Sequence, residues 1–119
     1  MRIQPARTIV PVAPPPDIDV EAWHTTIAEI ERRGPERLAL IHFGVEPDPA
    51  DHLGRLGVEL DRWAARVGDG MTIEDFVAAG REDAGDDADL YDRVASYWQS
   101  WHGLRRYWEK LAERGSAAQ

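Results

Sequence analysis

The four histidines are the residues of this chain best suited to binding a metal or transferring a proton, because an imidazole does both near neutral pH. No two of them stand at the i, i+4 spacing that places paired ligands on one helix face. His24, His52 and His102 fall within predicted helices and are interpreted as solvent-facing or capping side chains. His42 differs, because it ends an apolar run and precedes Gly44, where α/β folds commonly place functional side chains. From these residues alone, a histidine that only forms hydrogen bonds within the loop is favoured over a functional one.

No other catalytic pattern accompanies His42. The chain has no Cys, which excludes disulfides, a thiolate zinc site and a cysteine nucleophile. A Gly-rich phosphate loop, a serine nucleophile elbow and a His-Glu-x-x-His helix are also missing from the sequence. Asp17 and Asp19 precede a helix, and capping is predicted for at least Asp19. The acidic cluster from Glu82 to Asp89 lacks calcium-loop spacing and is interpreted as a solvated turn and helix start.

Composition narrows the possible partners and location. With 14 basic and 22 acidic residues the net charge is -8, which disfavours binding to nucleic acid or to anionic membranes. No apolar run approaches the roughly 18 residues of a membrane span, and no secretory signal peptide is recognisable. The sequence therefore predicts a cytoplasmic protein.

Four helices and two short strands are predicted from the spacing of apolar residues. The helices are predicted at residues 19 to 34, 48 to 68, 72 to 80 or 85, and 86 or 87 to 114. Leu38 to Ile41 form the uninterrupted apolar run of a buried strand that ends at His42, whereas Pro11 limits residues 8 to 12 to a short or edge strand. These elements predict a mainly helical α+β fold.

The predicted last helix carries a heptad-type seam that must pack on another surface. The seam consists of Leu90, Val94, Tyr97, Trp101, Leu104, Trp108 and Leu111.

Three segments in order resemble the late part of metallo-β-lactamase-fold hydrolases. They are Pro14-Pro15-Pro16-Asp17-Ile18-Asp19, the end of a Trp-bearing helix at Pro35-Glu36-Arg37-Leu38, and Ile41-His42-Phe43-Gly44. In that family the last of these segments supplies the final ligand of a two-metal centre. The resemblance, which extends from about Arg2 to Trp63, therefore implies that His42 is a zinc ligand. Ile41 stands where such sequences often carry Thr, on the opposite side of the strand from the ligand.

The resemblance also implies a division of the chain. Residues 1–67 would be the C-terminal segment of the family's αββα sandwich, and residues 68–119 a helical C-terminal extension that covers the substrate pocket. The family's His-x-His-x-Asp-His motif, its next His and its bridging Asp are absent from this sequence. One imidazole cannot hold zinc tightly, so we expect the chain alone to bind no tight zinc and to be inactive.

Three hypotheses follow from the sequence. In the first, the chain is a fragment of a zinc hydrolase whose partner is a missing N-terminal half, with Met1 an assigned start inside a longer reading frame or the gene truncated. In the second, it is a small helical protein that self-associates or binds a partner through its aromatic C-terminal helix. In the third, it is a nonfunctional remnant that folds poorly, because a sheet of one or two strands has little independent stability.

Overall fold

The chain folds mainly into helices with one small antiparallel sheet, which confirms the predicted α+β class. A computed structural model describes residues 1–3, 8–13, 18–40 and 44–117. Within these residues the helices are α1 (Val20–Arg33), α2 (Pro49–Gly68), α3 (Ile73–Ala84), α4 (Ala88–Val94) and α5 (Tyr97–Ala117), and the strands are β1 (Leu38–Leu40) and β2 (Gly44–Glu46). None of the described helices has both the length and the apolar character needed to cross a lipid bilayer.

The predicted starts of the first three helices are confirmed by their caps. The carboxylate of Asp19 accepts a hydrogen bond from the amide of Ala22 at the start of α1. Asp48 caps α2, which has Pro49 in its first turn, and Thr72 caps α3. Each cap satisfies an amide that the helix itself leaves unpaired. At the end of α1, Gly34 adopts a left-handed conformation with φ 59°, which a glycine reaches without strain.

The prediction of one continuous helix from residue 86 or 87 to 114 is wrong. A short 3-10 turn (Gly85–Asp87) precedes α4, and the chain then becomes extended at Ala95 before α5 begins at Tyr97. The carboxylate of Asp92 accepts a hydrogen bond from the amide of Tyr97 across this break. In an unbroken helix Tyr91 and Tyr97 would point in directions about 120° apart. The break lets both rings enter the core, where each is 0% exposed.

The predicted strand at residues 8 to 12 is also absent, because residues 8–13 form no strand in the structure. Val10 instead exchanges two backbone hydrogen bonds with Met1. The second strand of the sheet is instead β2 (Gly44–Glu46), at a position where no strand is predicted from the sequence. The hydrophobic pattern did not distinguish these short segments, because each contains only a few apolar residues.

The core lies among the helices, and Trp63 of α2 is at its centre. Its ring meets Phe76 of α3 edge to face at a centroid distance of 5.1 Å and contacts Tyr97 of α5 at 5.7 Å. Val10 belongs to the same buried cluster and lies in the N-terminal segment, a name used here for the described residues 1–3 and 8–13. One core therefore joins residues on both sides of position 67, while the assignment of residues 1–67 and 68–119 to different parts of a larger protein stays a prediction.

The β1–β2 hairpin lies partly outside this core. In the antiparallel register Leu38 pairs with Glu46 and Ala39 with Val45. Ala39 is exposed, Leu38 is only half-buried, and Val45 is 52% exposed. The predicted burial of β1 is therefore wrong for the described residues, because no described element covers the face of the hairpin that carries Ala39 and Val45.

Candidate functional site

The predicted ligand His42 belongs to residues 41–43, which lie outside the described residues. Its neighbours on both sides are described: β1 ends at Leu40, β2 begins at Gly44, and these two residues are partners in the ladder. The segment that carries His42 therefore connects the two strands of one hairpin. Its role as a ligand stays a prediction.

Two of the other histidines reach the surface, as predicted. His24 Nε2 lies 2.6 Å from Asp61 Oδ1 and so links α1 to α2. His102 is exposed on α5, where its ring stands edge-on to Trp98 at 5.8 Å and to Trp101 at 5.0 Å between centroids. In the part of the chain that the structure describes, no three His, Asp or Glu side chains form a group that could hold a metal ion.

His52 does not follow the prediction, because it is buried rather than solvent-facing or capping. The residue is 2% exposed in the first turns of α2, beside Glu46 at the end of β2. Its position was readable from the sequence in one respect. His52 and Trp63 are eleven residues apart, which places them about 20° from each other around the helix, on the same inward face.

Arg2, Glu46 and His52 form a buried polar cluster that the sequence did not predict. The carboxylate of Glu46 accepts hydrogen bonds from Arg2 Nη1 at 3.2 Å and 3.0 Å. His52 Nδ1 lies 3.7 Å from Glu46 Oε2, which is too far for a hydrogen bond. The side chains of Glu46 and His52 are only 2% and 3% exposed, whereas that of Arg2 is 18% exposed. The cluster joins the N-terminal segment to the hairpin and to α2.

The electrostatics of the cluster favour a neutral His52. Burial is the main reason that the pKa of His52 lies below its ordinary value of 6.5, with the positive charge of the Met1 amino group and of Arg2 adding to the effect. The Glu46 carboxylate opposes the shift without overcoming it. The cluster therefore holds one carboxylate, one guanidinium and an uncharged imidazole at neutral pH.

Tyr91 of α4 holds the N-terminal segment next to this cluster. Its hydroxyl accepts a hydrogen bond from the amide of Ile3 at 3.2 Å and donates one to the carbonyl of Thr8. Further along the same segment, the amide of Ala13 donates to the hydroxyl of Ser100 on α5 at 3.1 Å. These bonds satisfy buried backbone groups that have no strand partner.

The candidate carboxylates have structural roles where the structure describes them. Asp19 caps α1, as predicted, and Asp17 lies outside the described residues. In the acidic cluster, Asp83 pairs with Arg66 at 2.9 Å, and Asp89 pairs with Arg81. These ion pairs link neighbouring helices or turns.

An open groove of about 550 Å³ runs between the start of α3 and the aromatic side of α5. The indole N–H of Trp101 donates to the carbonyl of Met71, and that of Trp108 to the carbonyl of Ala64, so both rings are fixed. Arg105 covers the face of Trp101 at 5.2 Å and donates to Glu109 at 3.0 Å. The groove thus has rigid aromatic walls, and its charges are largely paired.

The described residues do not fit a zinc site. Glu46 and His52 are the right types of ligand, but the guanidinium of Arg2 already binds the carboxylate, and a second cation there would be repelled. A catalytic zinc also needs about three protein ligands. Comparison of the chain with protein-family models, with curated proteins and with solved structures finds no match in any of the three.

Proposed function

We propose that this chain is the C-terminal part of a metallo-β-lactamase-fold, zinc-dependent hydrolase of the cytoplasm. In this proposal His42 is the last metal ligand, and α3 to α5 form a helical cap. The remaining ligands come from polypeptide that carries the family's His-x-His-x-Asp-His motif. The chain alone binds no tight zinc and is inactive, because a single histidine cannot hold the metal.

The observation that carries the proposal is the exposed apolar face of the hairpin. The run Leu38 to Ile41 has the uninterrupted apolar character of a strand buried on both faces of a larger sheet. Here Ala39 is exposed and Val45 is 52% exposed. A two-stranded sheet is also marginal by itself and leaves open edges. Further strands of an αββα sandwich would cover this face and pair with these edges.

The order of elements supports the same proposal. A capped helix, α1, leads through Pro35 to β1, and β1 is followed at once by the His42 segment. This is the order of helix, strand and ligand that the resemblance implies.

The first experiment is to sequence the DNA upstream of the codon for Met1. The proposal expects an in-frame stretch that encodes His-x-His-x-Asp-His, or a separately encoded chain with that motif that forms a complex with this one. If neither an in-frame motif nor such a complex is found, the proposal is contradicted.

The second experiment measures the zinc content of the complete protein or complex by elemental analysis. We expect His42→Ala to lower the zinc stoichiometry and His102→Ala, at an exposed histidine on α5, to leave it unchanged. Unchanged zinc in the His42→Ala protein would refute the ligand role. Tight, stoichiometric zinc binding by the chain alone, abolished by His42→Ala, would refute the claim that its site is incomplete.

One observation favours a second candidate, a small interaction protein that self-associates or binds a partner through α5. The side chain of Trp98 is 50% exposed, which is unusual for an indole ring on a helix, and nearby Val94 is 47% exposed. Most of the predicted seam is not free for a partner. Tyr97 and Leu104 are each 0% exposed within the chain's own core, and Trp101, Trp108 and Leu111 pack against that core. Size-exclusion chromatography with light scattering tests self-association: a dimer that Trp98→Ser converts to monomer would support it, and a folded monomer would count against it.

A further inference from the structure

The buried polar cluster has more basic than acidic groups, so its charge pairing is expected to change with pH. Three basic groups act on the His52 imidazole, which is itself a base. They are Arg2 and the Met1 amino group near the N-terminus, and Arg55 on α2. The acidic group that faces His52 is Glu46 on β2. While His52 is neutral, Glu46 binds Arg2 at 3.0 Å and the arrangement is favourable.

Protonation of His52 creates a second cation, beside Arg2, that can pair with the carboxylate of Glu46. The His52 side chain is 3% exposed, so a buried imidazolium cannot be solvated by water and requires an acceptor. Its Nδ1 has no hydrogen-bond partner within the described residues, and the carboxylate of Glu46, 3.7 Å away, is close enough to reach it after a small movement. Arg2 is 18% exposed and long, so its guanidinium can move into solvent at a much lower cost.

We propose that the buried polar cluster is an acid-sensitive latch. When His52 takes a proton from solvent, the Glu46 carboxylate moves from Arg2 to the imidazolium. Arg2 and Ile3 are then released from the hairpin and from Tyr91, while Met1 keeps its two backbone hydrogen bonds to Val10. The bond from the Ile3 amide to the Tyr91 hydroxyl, 3.2 Å long, breaks as Arg2 turns outward. Residues 8–13 stay in place, because Val10 and Ala13 are buried in the core.

The direction of the pH response follows from the environment of His52. Its folded-state pKa lies below 6.5, the value expected in the unfolded chain. The stability that comes from the neutral, buried imidazole is therefore complete above about pH 6.5 and is lost as the pH falls toward the folded-state pKa. The latch is closed at neutral pH and opens on acidification.

The test is an NMR titration of the chain from neutral to acidic pH. We expect the ring signals of His52 to change with a midpoint below 6.5 and the amide signal of Ile3 to change with the same midpoint. In His52→Gln the change at Ile3 disappears, whereas in the control His102→Gln it is retained. A change at Ile3 that persists in His52→Gln would refute the latch and assign the titration to the Met1 amino group, whose pKa burial lowers to about 6.

A second variant keeps the test valid if His52→Gln does not fold. In Arg2→Gln one cation is removed and the carboxylate of Glu46 becomes available to His52, so the midpoint of His52 moves to higher pH. The change at Ile3 then no longer follows His52, because the link through Arg2 is gone. An unchanged His52 midpoint in Arg2→Gln, or an Ile3 signal that still follows His52, would overturn the proposal.

Discussion

Two glycines inside helices provide a test of how tightly the aromatic core is packed. Gly80 lies in α3 and Gly54 in α2, so replacing either by Ala is the same chemical change in the same secondary structure. A Cβ at Gly80 would stand 2.8 Å and 2.9 Å from two ring atoms of Tyr97, whereas a Cβ at Gly54 would meet nothing within 4 Å. We therefore expect the two substitutions to change the free energy of unfolding in opposite directions.

The magnitude follows from two opposing terms. Ala stabilises a helix by about 1 kcal/mol relative to Gly, and at Gly54 this gain stands alone. At Gly80 the new methyl group collides with Tyr97, whose ring is 0% exposed and packs against Trp63 at 5.7 Å. Overpacking of this kind costs about 1 to 3 kcal/mol. The expected result is a gain of about 1 kcal/mol for Gly54→Ala and, from the same two principles, a net loss of about 1 kcal/mol for Gly80→Ala.

Urea unfolding followed by tryptophan fluorescence measures both variants against the parent chain at pH 7 and one temperature. The signal reports the core directly, because Trp63 lies beside Tyr97. If Gly80→Ala is as stable as Gly54→Ala, then Tyr97 is able to move aside, and the expected collision between a Cβ at position 80 and the Tyr97 ring is wrong. Circular dichroism of both variants confirms that helix content is unchanged before the energies are compared.

Three further predictions concern the buried tyrosines. Tyr91→Phe should lower the free energy of unfolding by about 1 to 3 kcal/mol, because it leaves the Ile3 amide and the Thr8 carbonyl without their partner. Tyr97→Phe should be neutral or stabilising in the same urea assay, because its hydroxyl has no hydrogen-bond partner within the described residues; a large loss would show that a partner exists. The third prediction is that the folded protein loses stability at alkaline pH. Burial raises the pKa of Tyr97 to about 12 and also raises the pKa of Tyr91 and of Tyr107. The unfolded chain therefore releases these protons at a lower pH than the folded protein does. Stability should hold up to about pH 10 and then fall toward pH 12, and absorbance near 295 nm should show no tyrosine of ordinary pKa in the folded protein.

Features that depend on a few neighbouring residues could be predicted from the sequence. The caps Asp19 and Thr72 each bond to an amide three residues later, and Gly34 ends α1 within one turn of its last apolar residue. Such interactions form within one helical turn, so their energy does not depend on the rest of the fold.

Features that depend on distant residues could not be predicted in this way. The break at Ala95 is decided by the burial of both Tyr91 and Tyr97, and a heptad pattern that continues through it gives no sign of the interruption. The partnership of Arg2 with Glu46 spans 44 positions and links segments that share no motif. His52 was the intermediate case, since its helical face was readable from the sequence but the carboxylate beside it was not.

The contrast between the core and the hairpin separates the hypotheses about this chain. Around Trp63 the aromatic core is closed, with Phe76 and Tyr97 buried, whereas the hypothesis of a remnant that folds poorly stays a prediction. The hairpin differs, because Val45 is 52% exposed on a sheet of two strands, and its apolar residues gain little from the helices behind it. The uncovered apolar strand is the feature that our proposal of a larger αββα sandwich explains, because neighbouring strands of such a sheet would cover it.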